Sequence, residues 1–137
     1  MYLPKKILMS MQNHLDKVKV IANLLHEAHH VLIGARAGLS ASAGLNYVDP
    51  DIFKRWFPML ADREIQTIWE AVTTYWNPTD ANHRSFWAYW ANHIQKIRYD
   101  APPGDVYLDL YKLFVDKKHF VITTNVDGQF VKAGFEL

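Results

Sequence analysis

The sequence predicts one α/β domain, or part of one, built on parallel strands. Its 137 residues are close to the size of a single domain, and half of them are hydrophobic while 21% are charged, which is enough apolar material for a core. Two short apolar runs, at 31–35 and 119–123, have the length and composition of buried strands. A long helical stretch separates them, and parallel strands need such a long connection.

The charge balance and the residue types exclude several classes of protein. Lys and Arg together number 15 and Asp and Glu 14, so the net charge of +1 argues against nucleic acid or a membrane surface as partner. No cysteine is present, which excludes disulfides, thiol nucleophiles and cysteine-ligated metal centres. No run of about 18 apolar residues occurs and the N-terminus lacks a signal-peptide pattern, so we expect a cytoplasmic protein.

The first predicted element is a helix from about residue 9 to residue 30, because apolar residues recur there at spacings of three and four. These residues are Leu15, Val18, Ile21, Ala22, Leu25 and Ala28. The pattern is typical of a helix that buries one face. Val31–Ala35 then fits a strand buried on both faces, and the small residues of 37–45 fit a tight loop that leads into a helix.

The next segment, 50–103, contains every tryptophan and is predicted to be helical. The tryptophans are Trp56, Trp69, Trp76, Trp87 and Trp90. Prolines at 78, 102 and 103 divide this segment and its continuation into helices near 51–60, 62–76, 82–99 and 104–117. We interpret the aromatic residues as a helical core, with a lid over a ligand as the alternative. The second strand, 119–123, and a polar loop at 124–128 follow.

Two polar loops mark the predicted site. The segments 34–44 and 123–129 are rich in Gly, Ser, Thr, Asn and Asp, and each follows a predicted strand directly. Ligands of open α/β sheets bind outside the carboxyl ends of the strands. If the two strands are neighbours, both loops line one crevice, and we expect the site there.

The first loop suits a phosphate-bearing ligand without matching a standard phosphate motif. Its small residues let backbone N–H groups approach a pyrophosphate, and a helix starting near Ser40 or Ser42 would point its positive end there. It has neither the strict G-x-G-x-x-G spacing nor the Gly-Lys-Ser/Thr of a P-loop. An ordinary strand-to-helix turn with small residues for close packing is the alternative.

The second loop carries a family resemblance. Residues 123–134 read T-T-N-V-D-G-Q-F-V-K-A-G and resemble the T-Q-N-I-D-G-L-H-x-x-A-G signature of the Sir2 family, the NAD-dependent sirtuins. Residues 37–45 resemble that family's G-A-G-I-S-A-x-S-G-I motif, in the expected place after the first strand. Within the family the chain looks most like the macrodomain-linked sirtuins of bacteria, with Tyr47 where P-D-F-R is usual. The resemblance spans about 15–137.

The resemblance implies a fold and a cofactor. It implies a partial Rossmann-like, Sir2-type parallel sheet with a large helical insertion, so that 1–137 would be the N-terminal portion of an NAD-binding domain that includes the helical segment 50–103. The implied NAD-binding residues are Gly34, Ala35, Arg36, Ala37, Gly38, Ser40, Thr124, Asn125 and Asp127. Asn125 would face the nicotinamide ribose as a catalytic residue, and Asp127 would accept a hydrogen bond from the nicotinamide carboxamide. A polar turn is the alternative for both.

The resemblance also implies a function and partners. The expected activity is protein ADP-ribosylation or protein deacylation, with an acylated or lipoylated protein as substrate and a macrodomain protein as a further partner. The family's catalytic histidine and zinc module would follow beyond Leu137, so we expect an incomplete enzyme. A noncatalytic Sir2-fold remnant or interaction module is the alternative. Two strands leave an open sheet edge and an uncovered face, which a second copy of the chain could pair with.

Three residues depart from the family motifs. Arg36 stands where the family has the first glycine of G-A-G, and our hypothesis is that this side chain weakens NAD binding. Thr124 replaces the family's glutamine, a change that the macrodomain-linked branch shares, and Phe130 replaces a histidine. Two polar contacts of the second loop are therefore expected to differ.

A separate motif, His26-Glu27-Ala28-His29-His30, matches the H-E-x-x-H pattern of zinc sites. On a continuous helix His26 and His30 would share one face. The motif lies at the predicted end of its helix, however, and no third ligand follows in a recognisable pattern. Histidines near a helix C-terminus are also favoured by the helix dipole alone, and we predict no metal site.

Overall fold

The fold combines seven α-helices with a two-stranded sheet in the residues that the structure describes. The computed structural model describes residues 5–60 and 64–136, with side chains from residue 12 onward. The helices are α1 (Lys5–Glu27), α2 (Ala37–Ser42), α3 (Pro50–Trp56), α4 (Ile68–Thr74), α5 (His83–Ile94), α6 (Asp105–Phe114) and α7 (Gln129–Ala133). The strands are β1 (His30–Ala35) and β2 (Lys118–Thr123). A 3-10 turn, Pro58–Leu60, follows α3, and a π-helical segment, Gln95–Asp100, continues α5.

The two strands pair in parallel, as predicted. Their register aligns His30 with Lys118 and Ala35 with Thr123, so both strands end at the same edge. One face of the sheet is covered, because Ile33 is buried and Val31 and Val121 pack against the same cluster. The prediction that the sheet is buried on both faces is wrong for the described residues. Leu32 and Phe120, which alternate to the other face, are each 67% exposed.

Helix α1 forms where the periodicity predicts a helix, but its apolar face is not buried. Leu15, Val18 and Ile21 are each more than half exposed, and among the side chains described from residue 12 onward only Leu25, in the last turn, packs against the sheet core. Periodicity predicts that a helix is amphipathic but does not identify the element that covers it. The C-terminus of α1 is capped by Lys117, whose Nζ donates to the carbonyl oxygens of His26 and Ala28 at 3.0 and 3.2 Å.

A first core, the helical core, lies within the segment 45–101 and is aromatic, as predicted. Phe53, Phe57 and Tyr89 are buried in it. The ring centroid of Phe57 lies 5.5 Å from that of Phe53 and 5.4 Å from that of Tyr89. Trp56 and Trp90 pack against it, whereas the other tryptophans, Trp69, Trp76 and Trp87, are exposed. The tryptophans therefore predict where this core lies but not which residues form it.

The helices of this segment begin and end at local sequence signals. The side chain of Asp49 accepts hydrogen bonds from the first turn of α3, where Pro50 occupies a position that needs no N–H donor. Thr67 and Glu70 form a capping box at α4. The predicted helix 62–76 therefore starts later than expected, at Ile68, and its residues 62–63 lie outside the described part of the chain.

A second core, the sheet core, joins β1 to α6 and α7. Ile33, Tyr107, Phe114, Phe130 and Phe135 are its large buried residues. Phe130, which replaces the histidine of the Sir2 motif, packs edge to face on Tyr107 at a centroid distance of 4.9 Å. This position is a packing position here. Among the described residues no helix is both long and apolar enough to cross a membrane.

Candidate functional site

The two polar loops lie side by side, as predicted. Each leaves the same edge of the sheet, because Ala35 pairs with Thr123 at the ends of β1 and β2. The side-chain amide of Asn125 donates to the carbonyl oxygen of Arg36 at 3.0 Å, across 89 positions of sequence. The hydroxyl of Ser40 donates to Asp127 Oδ2 at 2.6 Å, across 87 positions. The loops are therefore joined by two direct hydrogen bonds.

A cavity of about 470 Å³ opens between the loops and the start of the helical segment. Most of the residues predicted for the site line it, namely Arg36, Ala37, Gly38, Ser40, Thr124, Asn125 and Asp127. Gly34 and Ala35 do not, since they belong to β1 and line a shallower neighbouring depression. Tyr47, Val48 and Trp69 complete the wall from the helical side. The volume falls in the usual range for small-molecule sites.

Asp127 is the buried acid of the site, with 4% of its surface exposed. Its Oδ2 accepts from Ser40 and, at 3.4 Å, from the hydroxyl of Tyr107, and its Oδ1 accepts from the backbone N–H of Gln129 at 3.1 Å. A carboxylate offers about four acceptor positions. These three contacts fix the orientation of the carboxylate and leave it able to accept one further donor from the cavity.

Asn125 is held at the cavity by its amide nitrogen. That nitrogen donates to Arg36 and, at 3.4 Å, to the hydroxyl of Tyr107, while the backbone N–H of Asn125 donates to Thr123 Oγ1 at 3.0 Å. Among the described residues no donor contacts the side-chain oxygen of Asn125. That oxygen is the atom of Asn125 that can accept a hydrogen bond from a hydroxyl in the cavity.

Helix α2 starts earlier than the sequence suggested. It begins at Ala37, with Arg36 in an extended conformation before it, so Ser40 and Ser42 lie inside the helix and not at its start. The helix is only six residues long. Gly38, in its first turn, faces open space, since a Cβ built there would meet no atom within 4 Å. The interpretation of the loop as a plain turn tightened by packing is wrong at this glycine, because nothing packs on it.

Arg36 lies at the mouth of the cavity. Its backbone carbonyl is engaged by Asn125, and its side chain is exposed among the cavity-lining residues. The geometry is compatible with contact between the guanidinium group and a phosphate. The hypothesis that Arg36 weakens NAD binding stays a prediction.

Several residues of the site carry no signal in a local motif. Tyr107, on α6, contacts both Asn125 and Asp127, and burial raises its pKa, so its hydroxyl stays a hydrogen-bond donor. Arg98 donates to the carbonyl oxygen of Val126 at 2.9 Å and braces the second loop from the π-helical segment. Gln129 is fully buried and joins this loop to Pro102 and Gly104. Tyr107 and Arg98 lie outside both motifs, and Gln129 lies within the 123–134 segment at a position where the compared signature has leucine, so only tertiary contacts identify their roles.

The H-E-x-x-H pattern does not form a site. Helix α1 ends at Glu27, and His30 belongs to β1, so the assumption that His26 and His30 share one helix face is wrong. The chain leaves the helix before the second histidine because it must enter the strand. Within residues 5–60 and 64–136, no group of three or more His, Asp or Glu residues could hold a metal ion.

Comparison with known proteins gives two relatives and no matching family model. The chain is 28% identical over 127 residues to a Staphylococcus aureus protein named "Protein ADP-ribosyltransferase". It is 31% identical over 113 residues to a Fusarium oxysporum protein named "Probable bifunctional ADP-ribose hydrolase/ADP-ribosyltransferase". Both relatives are named for ADP-ribosyl transfer.

The matches cover most of this chain and a minor part of each relative. They include 93% and 81% of the chain, but only 39% of the S. aureus protein and 18% of the F. oxysporum protein. The chain is thus similar to one section of proteins associated with ADP-ribosylation.

Proposed function

We propose that this chain forms the NAD-binding section of a Sir2-like protein ADP-ribosyltransferase. The observation that carries the proposal is the joining of the two motif loops around one cavity, through the Asn125–Arg36 and Ser40–Asp127 hydrogen bonds. Under this proposal the two-stranded sheet is part of a Rossmann-like, Sir2-type fold, and residues 1–137 are the N-terminal portion of that domain.

The residues of the cavity fit a nicotinamide nucleotide. Gly38 leaves open a space that a side chain would fill, so the backbone of α2 can approach a phosphate group. Asp127 has acceptor capacity left for the carboxamide of nicotinamide, and the oxygen of Asn125 can accept from a ribose hydroxyl. Gly34 and Ala35, one step further back in β1, would support the loop and not line the main cavity.

NAD would supply the bond between nicotinamide and ribose, whose cleavage allows ADP-ribose to pass to a nucleophile. The chain's own residues would bind and orient. Asp127, clamped by three donors, holds the carboxamide end in one orientation, and Asn125 holds the adjoining ribose. Holding the cofactor in one orientation lowers the activation barrier, because the cofactor loses its positional entropy when it binds and not during the chemical step. Trp69 and Val48 line the cavity on the helical side.

The names of the two relatives favour the transferase over the deacylase. Both name ADP-ribosyl transfer, and neither names deacylation. An acylated or lipoylated protein as acceptor, a macrodomain protein as partner and association of two copies belong to the same proposal. A noncatalytic Sir2-fold module is the competing function, and NAD binding separates the two.

The experiment is a calorimetric titration of the chain with NAD, on the parent and on Asn125→Ala. We expect the parent to bind NAD at one site and Asn125→Ala to bind at least about fivefold more weakly, since a hydrogen bond to a polar ligand is typically worth ~1 kcal/mol or more. Asn92→Ala is the matched control. Asn92 also donates its amide to a backbone carbonyl at 3.0 Å, that of Trp56, but does not line the cavity.

The control separates folding from binding. Both variants lose one amide-to-carbonyl hydrogen bond, so their melting temperatures are expected to fall by similar amounts, while only Asn125→Ala loses affinity. Equal affinities of the two variants would contradict the role of Asn125. No binding of millimolar NAD by the parent would favour the noncatalytic module.

A further inference from the structure

A hydrogen-bonded chain of three side chains leads from the cavity into the helical core. Tyr47 lines the cavity, and its hydroxyl lies 3.1 Å from Nε2 of His93. Nδ1 of His93 lies 2.9 Å from the hydroxyl of Tyr89, which in turn lies 3.5 Å from the carbonyl oxygen of Ile68. His93 and Tyr89 are 4% and 2% exposed, so both groups lie away from bulk water. Neither the motifs nor the relatives' names assign a role to these three side chains.

His93 is neutral in the folded protein. Burial lowers its pKa to about 4, so near pH 7 the imidazole carries one hydrogen, on either Nδ1 or Nε2. The hydroxyl of Tyr47 is protonated as well, because burial and, to a lesser extent, the charge of Asp127 raise its pKa to about 12. Tyr47, His93 and Tyr89 therefore each have one hydrogen to donate, and each hydrogen needs an acceptor.

The distances favour one of the two arrangements. With the imidazole hydrogen on Nδ1, His93 donates to Tyr89, and the hydrogen of Tyr89 is left with the carbonyl of Ile68 at 3.5 Å, which is long for an O–H donor. Tyr47 must then give its hydrogen to Nε2. With the hydrogen on Nε2, Tyr89 donates to Nδ1 at 2.9 Å and His93 donates to the oxygen of Tyr47 at 3.1 Å. The hydrogens of Tyr89 and His93 then both have partners at normal distance, and that of Tyr47 is free to point into the cavity.

We propose that Tyr47 is a ligand-binding residue of the cavity, a hydrogen-bond donor whose hydroxyl hydrogen is directed at the ligand because His93 occupies its acceptor side. His93 is then a positioning residue. The group that Tyr47 recognises is an oxygen acceptor, a phosphate or ribose oxygen of the nucleotide. The backbone supports this placement, since the carbonyl of Tyr47 accepts from the N–H of Trp69 at 3.0 Å, on the same cavity wall. The inference rests on the proposed nucleotide site.

The first test does not need a ligand. Long-range ¹H–¹⁵N spectra of the imidazole nitrogens at pH 7, assigned by comparison with His93→Gln, report which nitrogen carries hydrogen. We expect the Nε2–H form, with a change in the Nε2 resonance in Tyr47→Phe. The Nδ1–H form would overturn the proposal, because Tyr47 would then donate its hydrogen to His93 and not to the ligand. This outcome is independent of whether NAD binds.

The second test is a double-mutant cycle on affinity, with NAD and with ADP-ribose as probes. Tyr47→Phe keeps the ring and is expected to weaken binding about tenfold. His93→Leu is expected to weaken it similarly in the parent but to have no further effect in the Tyr47→Phe background. His93→Gln retains an N–H donor that can reach Tyr47 and is expected to restore most of the affinity, with melting temperatures measured for every variant.

Two results would overturn the role of Tyr47. One is parental affinity in Tyr47→Phe, and the other is a full effect of His93→Leu in the Tyr47→Phe background, which would mean that His93 acts through packing. If the parent binds neither probe, the nucleotide site itself fails. In that case the binding role of Tyr47 falls with it, while the imidazole spectra still decide the hydrogen-bond direction.

Discussion

Gly38 is the residue at which ligand binding and stability should respond in opposite directions. It lies in the first turn of α2 and lines the cavity, and a Cβ added there by Gly38→Ala or Gly38→Val would meet no atom within 4 Å. Replacing a helical glycine by alanine typically stabilises by up to about 1 kcal/mol. We therefore expect a melting temperature equal to or above that of the parent, and a stepwise loss of NAD affinity from Gly to Ala to Val.

Thermal denaturation and calorimetric titration of the two variants measure both effects. The graded pair serves as its own control, because affinity should follow the volume of the added side chain. Unchanged affinity in Gly38→Val would mean that the ligand does not approach α2.

His93 should make stability depend on pH in a definite window. Its pKa is about 4 in the folded protein against 6.5 for an unperturbed histidine, so between these values the unfolded state binds a proton that the folded state does not. The free energy of unfolding therefore falls as pH drops from about 6.5 to about 4, by roughly 3 kcal/mol from this group. Urea unfolding across pH 4 to 7 measures it.

His93→Gln, which has no titrating group at this position, is the comparison. Its stability should lose less on acidification than that of the parent. Parallel profiles for the two proteins would show that His93 does not titrate as its burial requires. Tyr47 and Tyr89, its hydrogen-bonding neighbours, are uncharged throughout this range, since burial raises the pKa of both.

At the same scale, the sequence predicted the cavity-lining residues that lie in motifs and missed those that contact them from elsewhere. Asn125 and Asp127 were identified because a short polar signature surrounds them. Tyr107 and His93 were not, because each sits in an ordinary amphipathic helix where an aromatic residue signals only burial. Their contacts with the site span 18 and 46 positions, distances over which no local pattern carries information.

At the scale of elements, the end of α2 and the start of α6 meet at a close contact between Ala43 and Gly104. Gly104, just before α6, approaches Ala43 so closely that an added Cβ would collide with the Cβ of Ala43 and lie 3.0 Å from its Cα. We expect Gly104→Ala to destabilise the fold by about 1 to 3 kcal/mol, as overpacking does, and to displace α2 from the cavity wall. Chemical denaturation measures the loss.

The clash has a matched rescue. Ala43→Gly removes the Cβ that Gly104→Ala would meet, so the double variant should recover part of the stability although Ala43→Gly alone is not expected to stabilise. Additive losses in the double variant would contradict the contact between these two residues.

Element types were predictable, whereas their boundaries and their partners were less so. The strands and most helices follow from period and composition, and the actual start of α4 at Ile68 follows from the Thr67–Glu70 capping box. The exposed face of α1 could not be predicted, because an apolar face indicates that something covers it without indicating what. The uncovered face of the sheet was expected, since two strands alone leave one face open. The early start of α2 was missed because Arg36 has no side-chain cap to signal it.

At the scale of the whole molecule, the chain presents a complete pair of cavity loops on an incompletely covered sheet. The covered face carries the sheet core that positions both loops, and the opposite face exposes Leu32, Phe120 and Ile122. The chain spans 39% of one relative and 18% of the other. Nucleotide binding is therefore the property to test on this chain, while substrate and acceptor belong to the proposal for the whole protein.

The most direct test of the account is an NMR titration of the ¹⁵N-labelled chain with NAD, following the backbone amides of both loops. We predict that Gly38 and Ser40 in the first loop shift together with Asn125 and Asp127 in the second, all with one dissociation constant. The indole of the exposed Trp87, outside the cavity, should stay unchanged. Shifts confined to one loop, or different dissociation constants for the two loops, would contradict a shared nucleotide site.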